Sequence, residues 1–231
     1  MLVNNIDISI FKAKYLNKDI QTATIVMLSE WLKNSLIPLD LSKQENYKPL
    51  KIQLKIKDVD DESCLNNIGD LIKQFENCTI KFDDLSLYYD CTIVNKSHKR
   101  IVKGKYTLDI ELKSGYAYKP TITEAMNRVT SKTINILGNT ETPCIIEITA
   151  SIDTIDIIVE GFADDPIIIK NLKTNKTVIV DGESQMVTVD GINKYGDTDM
   201  WDFPSLKPGN NNLKFSRNNC DIKVKYKPRF I

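Results

Sequence analysis

One histidine, His98, serves all 231 residues. A Ser/His/Asp or Cys/His arrangement would have to be built around that single side chain, which sits in the polar run Asn95-Lys96-Ser97-His98-Lys99-Arg100. Glycine is also scarce, at 9 residues. The glycines occur singly, so there is no phosphate-cradling loop and no dinucleotide fingerprint, and nothing in the residues asks for a cofactor. The five cysteines, Cys64, Cys78, Cys91, Cys144 and Cys220, are odd in number and contain no Cys-x-x-Cys pair. Neither a disulfide framework nor a zinc site follows, and they read as small buried hydrophobes. Charge of one sign is missing too: Lys+Arg and Asp+Glu stand at 31 each, which removes the broad positive field of a protein that lives on nucleic acid. No apolar run approaches the roughly 20 residues of a spanning helix. The opening Met1-Leu2-Val3-Asn4-Asn5-Ile6-Asp7 lacks the basic and apolar regions of a secretion signal, so a cytoplasmic start is expected.

What the chain has is alternation. Leu50, Ile52, Leu54 and Ile56 alternate with Lys51, Gln53, Lys55 and Lys57, and Tyr106, Leu108, Ile110 and Leu112 with Thr107, Asp109, Glu111 and Lys113. A period of two puts every second side chain on one face of a half-buried antiparallel strand. Cys144, Ile146, Ile148, Ala150 and Ile152 form another such face, and Cys220, Ile222, Val224 and Tyr226 a fourth. Short β-branched runs at 155–159, 167–169, 178–180 and 187–189 lie between, separated by turn signals such as Asp164-Asp165-Pro166, Asp181-Gly182 and Asp190-Gly191. Many short strands with regular turns predict a β-sandwich.

One helix interrupts the first half. Leu65, Ile68, Leu71, Ile72 and Phe75 repeat at helical spacing behind the acidic lead 58–63, where Asp60 or Asp61 is placed to cap it. The acidic cluster lacks the spacing and glycine hinge of a calcium loop. A shorter helix is expected near Ser29 to Leu36, stopped before Pro38. Alternation fades between Gly115 and Pro143, which puts a boundary near 118–133 and divides the chain into 1–130 and 131–231.

The search for chemistry returns surfaces. His98 is expected in a hairpin turn, and the strand acids Asp109, Glu111, Glu147, Asp156 and Glu160 on wet sheet faces. No catalytic, metal or cofactor residue is assigned. The aromatic residues Tyr195, Trp201 and Phe203, with Trp31, are the candidate contact or structural positions. Tyr195 and Trp201 can stack on a sugar or fill a partner's pocket. Trp201 and Phe203, two apart on one strand face, are expected as core plugs, and Trp31 beside Leu32 as packing.

Two stretches carry a family likeness. Leu2-Val3-Asn4-Asn5-Ile6-Asp7-Ile8-Ser9 resembles the first strand-turn-strand of the distal tail proteins of siphovirus-type phages, with Asn5 where many members have glycine. Asparagine is the next best residue for a left-handed turn. The run from Asp190 to Asp197, then Met200-Trp201-Asp202-Phe203-Pro204-Ser205-Leu206-Lys207-Pro208-Gly209, is similar to the end of that family's C-terminal sandwich. The resemblance implies a mainly β, two-domain chain without enzymatic activity. Its N-terminal part would be a ring-forming sandwich or barrel with one flanking helix, and its C-terminal part a galectin-like or carbohydrate-module-like sandwich. It further implies a homo-hexamer at the virion tail tip, assembled in the bacterial cytoplasm. The implied partners are the tail tube, tape-measure and tail-associated hub or lysin proteins, with receptor-binding proteins beyond them. DNA would pass through the ring without specific binding, and no membrane is involved. A carbohydrate-binding module, or another tail-tube or tail-completion protein, is the alternative.

Overall fold

The structure, a computed structural model, describes residues 1–231 apart from the side chains of residues 43–45. The chain is mainly β and divides into two compact units, Met1–Ala117 with Ile231, and Tyr118–Phe230.

The first unit holds β1 (Leu2–Val3), β2 (Ile6–Asp7), β3 (Ala13–Ile20), β4 (Ile25–Glu30), β5 (Leu39–Glu45), β6 (Lys48–Lys57), α1 (Asp61–Phe75), β7 (Asn77–Lys81), β8 (Tyr88–Val102) and β9 (Lys105–Tyr118). Its main sheet runs β2-β1-β7-β8-β9-β6-β3. The two alternating segments found in the sequence are β6 and β9, and they pair antiparallel with Leu50 opposite Leu112, Ile52 opposite Ile110 and Leu54 opposite Leu108. All six side chains are buried. Their lysine and acid neighbours take the other face, where Lys51 and Glu111 form an exposed ion pair at 3.0 Å.

Helix α1 starts where its acidic lead predicts. Asp60 is extended, and its carboxylate accepts from the Ser63 N–H at 2.8 Å. That bond holds the Asp60 carboxyl below its ordinary pKa, because the charged form is the better acceptor. The helix contacts β6, β7 and β8 and buries Cys64, Ile68, Leu71 and Phe75. Leu65 points outward and Cys64 takes its place in the core. The Asn4-Asn5 turn between β1 and β2 has both residues left-handed, at φ 53° and 63°, the geometry a two-residue hairpin turn needs.

Two expectations fail in this unit. Residues 29–36 are not helical: β4 and β5 form a separate two-stranded sheet, pairing Glu30 with Leu39, Ser29 with Asp40 and Leu28 with Ser42 across a bulge. Trp31, Leu32, Ser35 and Leu36 imitate helical spacing, but the apolar run Ile25-Val26-Met27-Leu28 before them pairs in extended form. His98 is not in a turn either; it lies inside β8, and the hairpin closes at Lys103-Gly104. Gly104 has φ 69°, and a Cβ there would come within 2.5 Å of the Asp58 carbonyl oxygen, so the turn sits at the glycine and not in the polar run.

The second unit holds β10 (Ile122–Asn127), β11 (Ser131–Ile136), β12 (Thr142–Ala150), β13 (Thr154–Glu160), β14 (Ile167–Leu172), β15 (Thr177–Asp181), β16 (Met186–Val189), β17 (Ile192–Asn193), β18 (Thr198–Asp199), β19 (Ser205–Leu206), β20 (Gly209–Phe215), β21 (Cys220–Tyr226) and β22 (Arg229–Phe230). One sheet runs β10-β21-β12-β15-β16-β17, with β19 also on β12; the other runs β11-β20-β13-β14-β18. Both contribute to one apolar core that includes Ile146, Ile148, Ile157, Val159, Val180 and Ile222. Every β-branched run read from the sequence here is a strand. Strand β10 hydrogen-bonds along the whole of β21, from Ile122 opposite Tyr226 to Asn127 opposite Asp221. Residues 122–127 therefore group with the second unit, ahead of the expected division at 130/131. Ile152, expected on the inner face of β12, lies beyond the strand end at Ala150 and is exposed.

Candidate functional site

No group of three or more His, Cys, Asp or Glu side chains able to hold a metal occurs among the described residues, and no helix is long and apolar enough to cross a membrane. His98 is exposed, with its ring 6.1 Å from that of Tyr106. All five cysteines are buried and free. Burial pushes the Cys78 thiol up to about 12 and raises Cys91 and Cys144 as well, since a thiolate loses its hydration there. Two surfaces are left as sites, one in each unit.

The first is the β4–β5 hairpin. Val26, Met27 and Leu28 are consecutive and each at least half exposed, so β4 presents exposed apolar side chains on both of its faces. Leu39 and Leu41 on β5 are similarly exposed. The connecting loop is built, not slack: the Trp31 indole donates to the Ser35 carbonyl at 3.1 Å, the Ser35 N–H donates to the Leu32 carbonyl at 3.0 Å, and the Ser35 hydroxyl to the Ile37 carbonyl at 2.6 Å. This arrangement presents Trp31 at 67 % exposure and Leu36 at 94 %. Trp31 is thus not the packing residue expected from its neighbour Leu32.

The second surface is an open cleft of about 720 Å³ where the loops after β11, β13, β15, β18 and β19 converge. Close backbone contact makes its walls. Gly182 donates its N–H to the Cys144 carbonyl at 2.9 Å, and a Cβ at Gly182 would fall 2.0 Å from the Pro204 carbonyl oxygen. At Gly161, with φ 88°, a Cβ would fall 2.4 Å from the Asn212 carbonyl oxygen. Asn211 fixes the loop after β19: its side-chain oxygen accepts from the Lys207 N–H at 3.0 Å, and its amide donates to the Lys207 and Gly209 carbonyls at 2.7 and 3.0 Å. Lys207 pairs with Asp164 at 2.9 Å, which holds the Asp164 carboxyl below its ordinary pKa and raises that of the Lys207 ammonium. Ser205 donates to Glu141.

The aromatic positions separate here. Phe203 lines the cleft, packs partly against the core and stacks on Tyr195, with ring centroids 6.0 Å apart and planes at 27°. Trp201 is 87 % exposed and is no core plug. The residues between β18 and β19 do not form the continuous strand that would turn Trp201 inward with Phe203. Glu141, Asp164, Gln185 and Lys207 had no signal of their own in the sequence. They come from separate loops, and only folding brings them together.

Residues 137–230 match the family described as the siphovirus-type tail component, C-terminal domain. The matched residues contain the whole cleft, while the apolar hairpin lies outside them. Among solved structures, the whole chain shares its fold with the Dit protein of phage SPP1, described as a paradigm of the hub adsorption apparatus in phages infecting Gram-positive bacteria. The TM-score is 0.78 at 14% identity, over 100% of this chain and 98% of that one. The baseplate of phage P2 in its activated conformation is similar at TM-score 0.53 and 10% identity with Ca, covering 95% of this chain and 92% of the other. With Sr the values are 0.52 and 11%, covering 98% and 94%. No curated protein matches the chain.

Proposed function

We propose that the protein is a non-enzymatic structural subunit of a phage tail tip, a hub that joins the tail tube to the adsorption apparatus. The carrying observation is the end-to-end fold similarity to the SPP1 hub protein, together with the tail-component domain at 137–230. In this reading the first unit assembles six copies into a ring around a channel for DNA and the tape-measure protein. The second, a galectin-like sandwich, faces the hub, lysin and receptor-binding proteins.

The hairpin supports the ring. A two-stranded sheet alone is marginal in water, and contiguous exposed apolar surface marks an interface. Strand β3 is also an end strand of the main sheet, with β6 its one strand partner among the described residues. A ring needs one patch on each copy to meet a different patch on the next, and a hairpin with a separate receiving edge meets that requirement. The equal numbers of acids and bases suit a conduit that does not retain DNA. The alternative, a tail-tube protein, would share the ring-forming part but would not need the domain at 137–230.

Multi-angle light scattering and negative-stain microscopy of the purified protein test this. A hexameric ring is expected, and Met27→Glu with Leu28→Glu should reduce it to monomers that keep their circular dichroism spectrum. A wild-type protein that stays monomeric at high concentration would refute the ring.

A further inference from the structure

We infer that the cleft of the C-terminal unit is a binding site for a neutral saccharide. At about 720 Å³ it falls in the ~300–1,000 Å³ range of small-ligand sites. Its lining divides into groups that hold the loops and groups that do not. Asn211 is committed to its own loop, and Asn212 accepts from the Thr133 hydroxyl at 2.7 Å. Gln185, Asp202 and Asn210 line the same space, and among the described residues their side chains have no hydrogen-bond partner. Planar amides and carboxylates with spare capacity are what vicinal hydroxyls require, since each pairs with two neighbouring oxygens.

The apolar lining combines Phe162 and Phe203 with Pro143, Ala163 and Pro204, and Tyr195 and Trp201 lie outside it. Phe203 forms wall and is steadied by Tyr195 stacked on it, and Trp201, adjacent in the chain to Asp202, stands almost fully in solvent. Flat rings of this kind cover the C–H face of a sugar. Glycine-tight backbone contacts at 161 and 182 fix the walls before any ligand arrives, which lowers the ordering cost of binding.

Charge selects the class. Three carboxylates, Glu141, Asp164 and Asp202, face one lysine, and Lys207 is already paired with Asp164 at 2.9 Å. A phosphate polymer or nucleic acid would meet net repulsion, whereas a neutral polyol would not. The inference stands on the second unit alone. Ring formation is scored separately by light scattering, so failure of one reading leaves the other standing.

The test uses the full chain with Trp31→Phe, which leaves Trp201 as the single tryptophan reporter. Tryptophan emission is followed against neutral di- and trisaccharides built on glucose, galactose, N-acetylglucosamine and rhamnose, with oligomeric glycerol phosphate as the anionic counter-probe. At least one neutral saccharide should give a saturable change and glycerol phosphate none. Asp202→Ala and Gln185→Ala should each weaken that binding about tenfold, and Trp201→Ala, read by calorimetry, about threefold, all without changing the oligomeric state. If Asp202→Ala fails to fold, Asp202→Asn keeps the shape and should weaken binding less. Saturation by no neutral saccharide, saturation by the phosphate polymer alone, or binding unchanged in the Asp202→Ala, Gln185→Ala double variant overturns the proposal.

Discussion

Two strand pairs of the first unit are both rich in apolar residues and meet opposite fates. In β6–β9 every second side chain is apolar, and Leu54 and Ile56 are fully buried. In β4–β5 apolar residues run consecutively, and Val26 and Leu28 are 50 % and 59 % exposed. Alternation lets a strand satisfy both environments at once, since one face packs and the other is wetted. A run of four apolar residues has no wet face, so no single sheet of its own chain can satisfy it. The first pair holds the monomer together; the second has surface left over for another molecule.

The largest expected effect tests the buried pair. Leu54→Ala should lower unfolding free energy by about 2–5 kcal/mol, measured by urea denaturation; a loss as small as that of a surface change would erase the contrast. Next is a half-buried position walled by backbone: Gly182→Ala must push a Cβ against Pro204 and should cost about 1–3 kcal/mol. On the hairpin, Leu28→Ser should alter the stability of dilute, dissociated protein by no more than about 0.5 kcal/mol while shifting assembly to higher concentration. A large loss in the monomer would mean the hairpin packs on its own chain.

The smallest effect belongs to exposed polar pins. Asp153 accepts from the Thr174 N–H and hydroxyl and from Lys173, which lowers its carboxyl to about 2 from an ordinary 3.8. Its contribution to stability is therefore complete above the unfolded value and disappears as pH falls through about 4 to about 2. In Asp153→Asn the urea midpoint should fall less steeply over that window than in the wild type.

The sequence disclosed what local periodicity encodes. The faces at 50–56, 106–112, 144–150 and 220–226 could be read because one period of two runs through each, and α1 because Asp60 marks its start. Residues 29–36 misled because Trp31, Leu32, Ser35 and Leu36 fit helical spacing, while the pairing that decides the matter, β4 with β5, bridges an eight-residue loop at 31–38. His98 was misplaced because its polar neighbours look like a turn, although only Gly104 has the backbone freedom to make one. The cleft was invisible for a different reason. Glu141, Asp164, Gln185, Asp202 and Asn210 become neighbours only through the order of strands in two sheets. Trp201 and Phe203 were expected to plug the core together, but their separation into solvent and wall depends on a loop with no regular repeat.

Every sulfhydryl of this protein is walled off by its own core. A cysteine introduced on the outside, at Ile192 or Trp201 for example, would be the sole reactive handle for a maleimide dye or a gold particle. Such a tag would let single molecules be followed as they join a growing tail, with no native residue removed beforehand to silence background labelling.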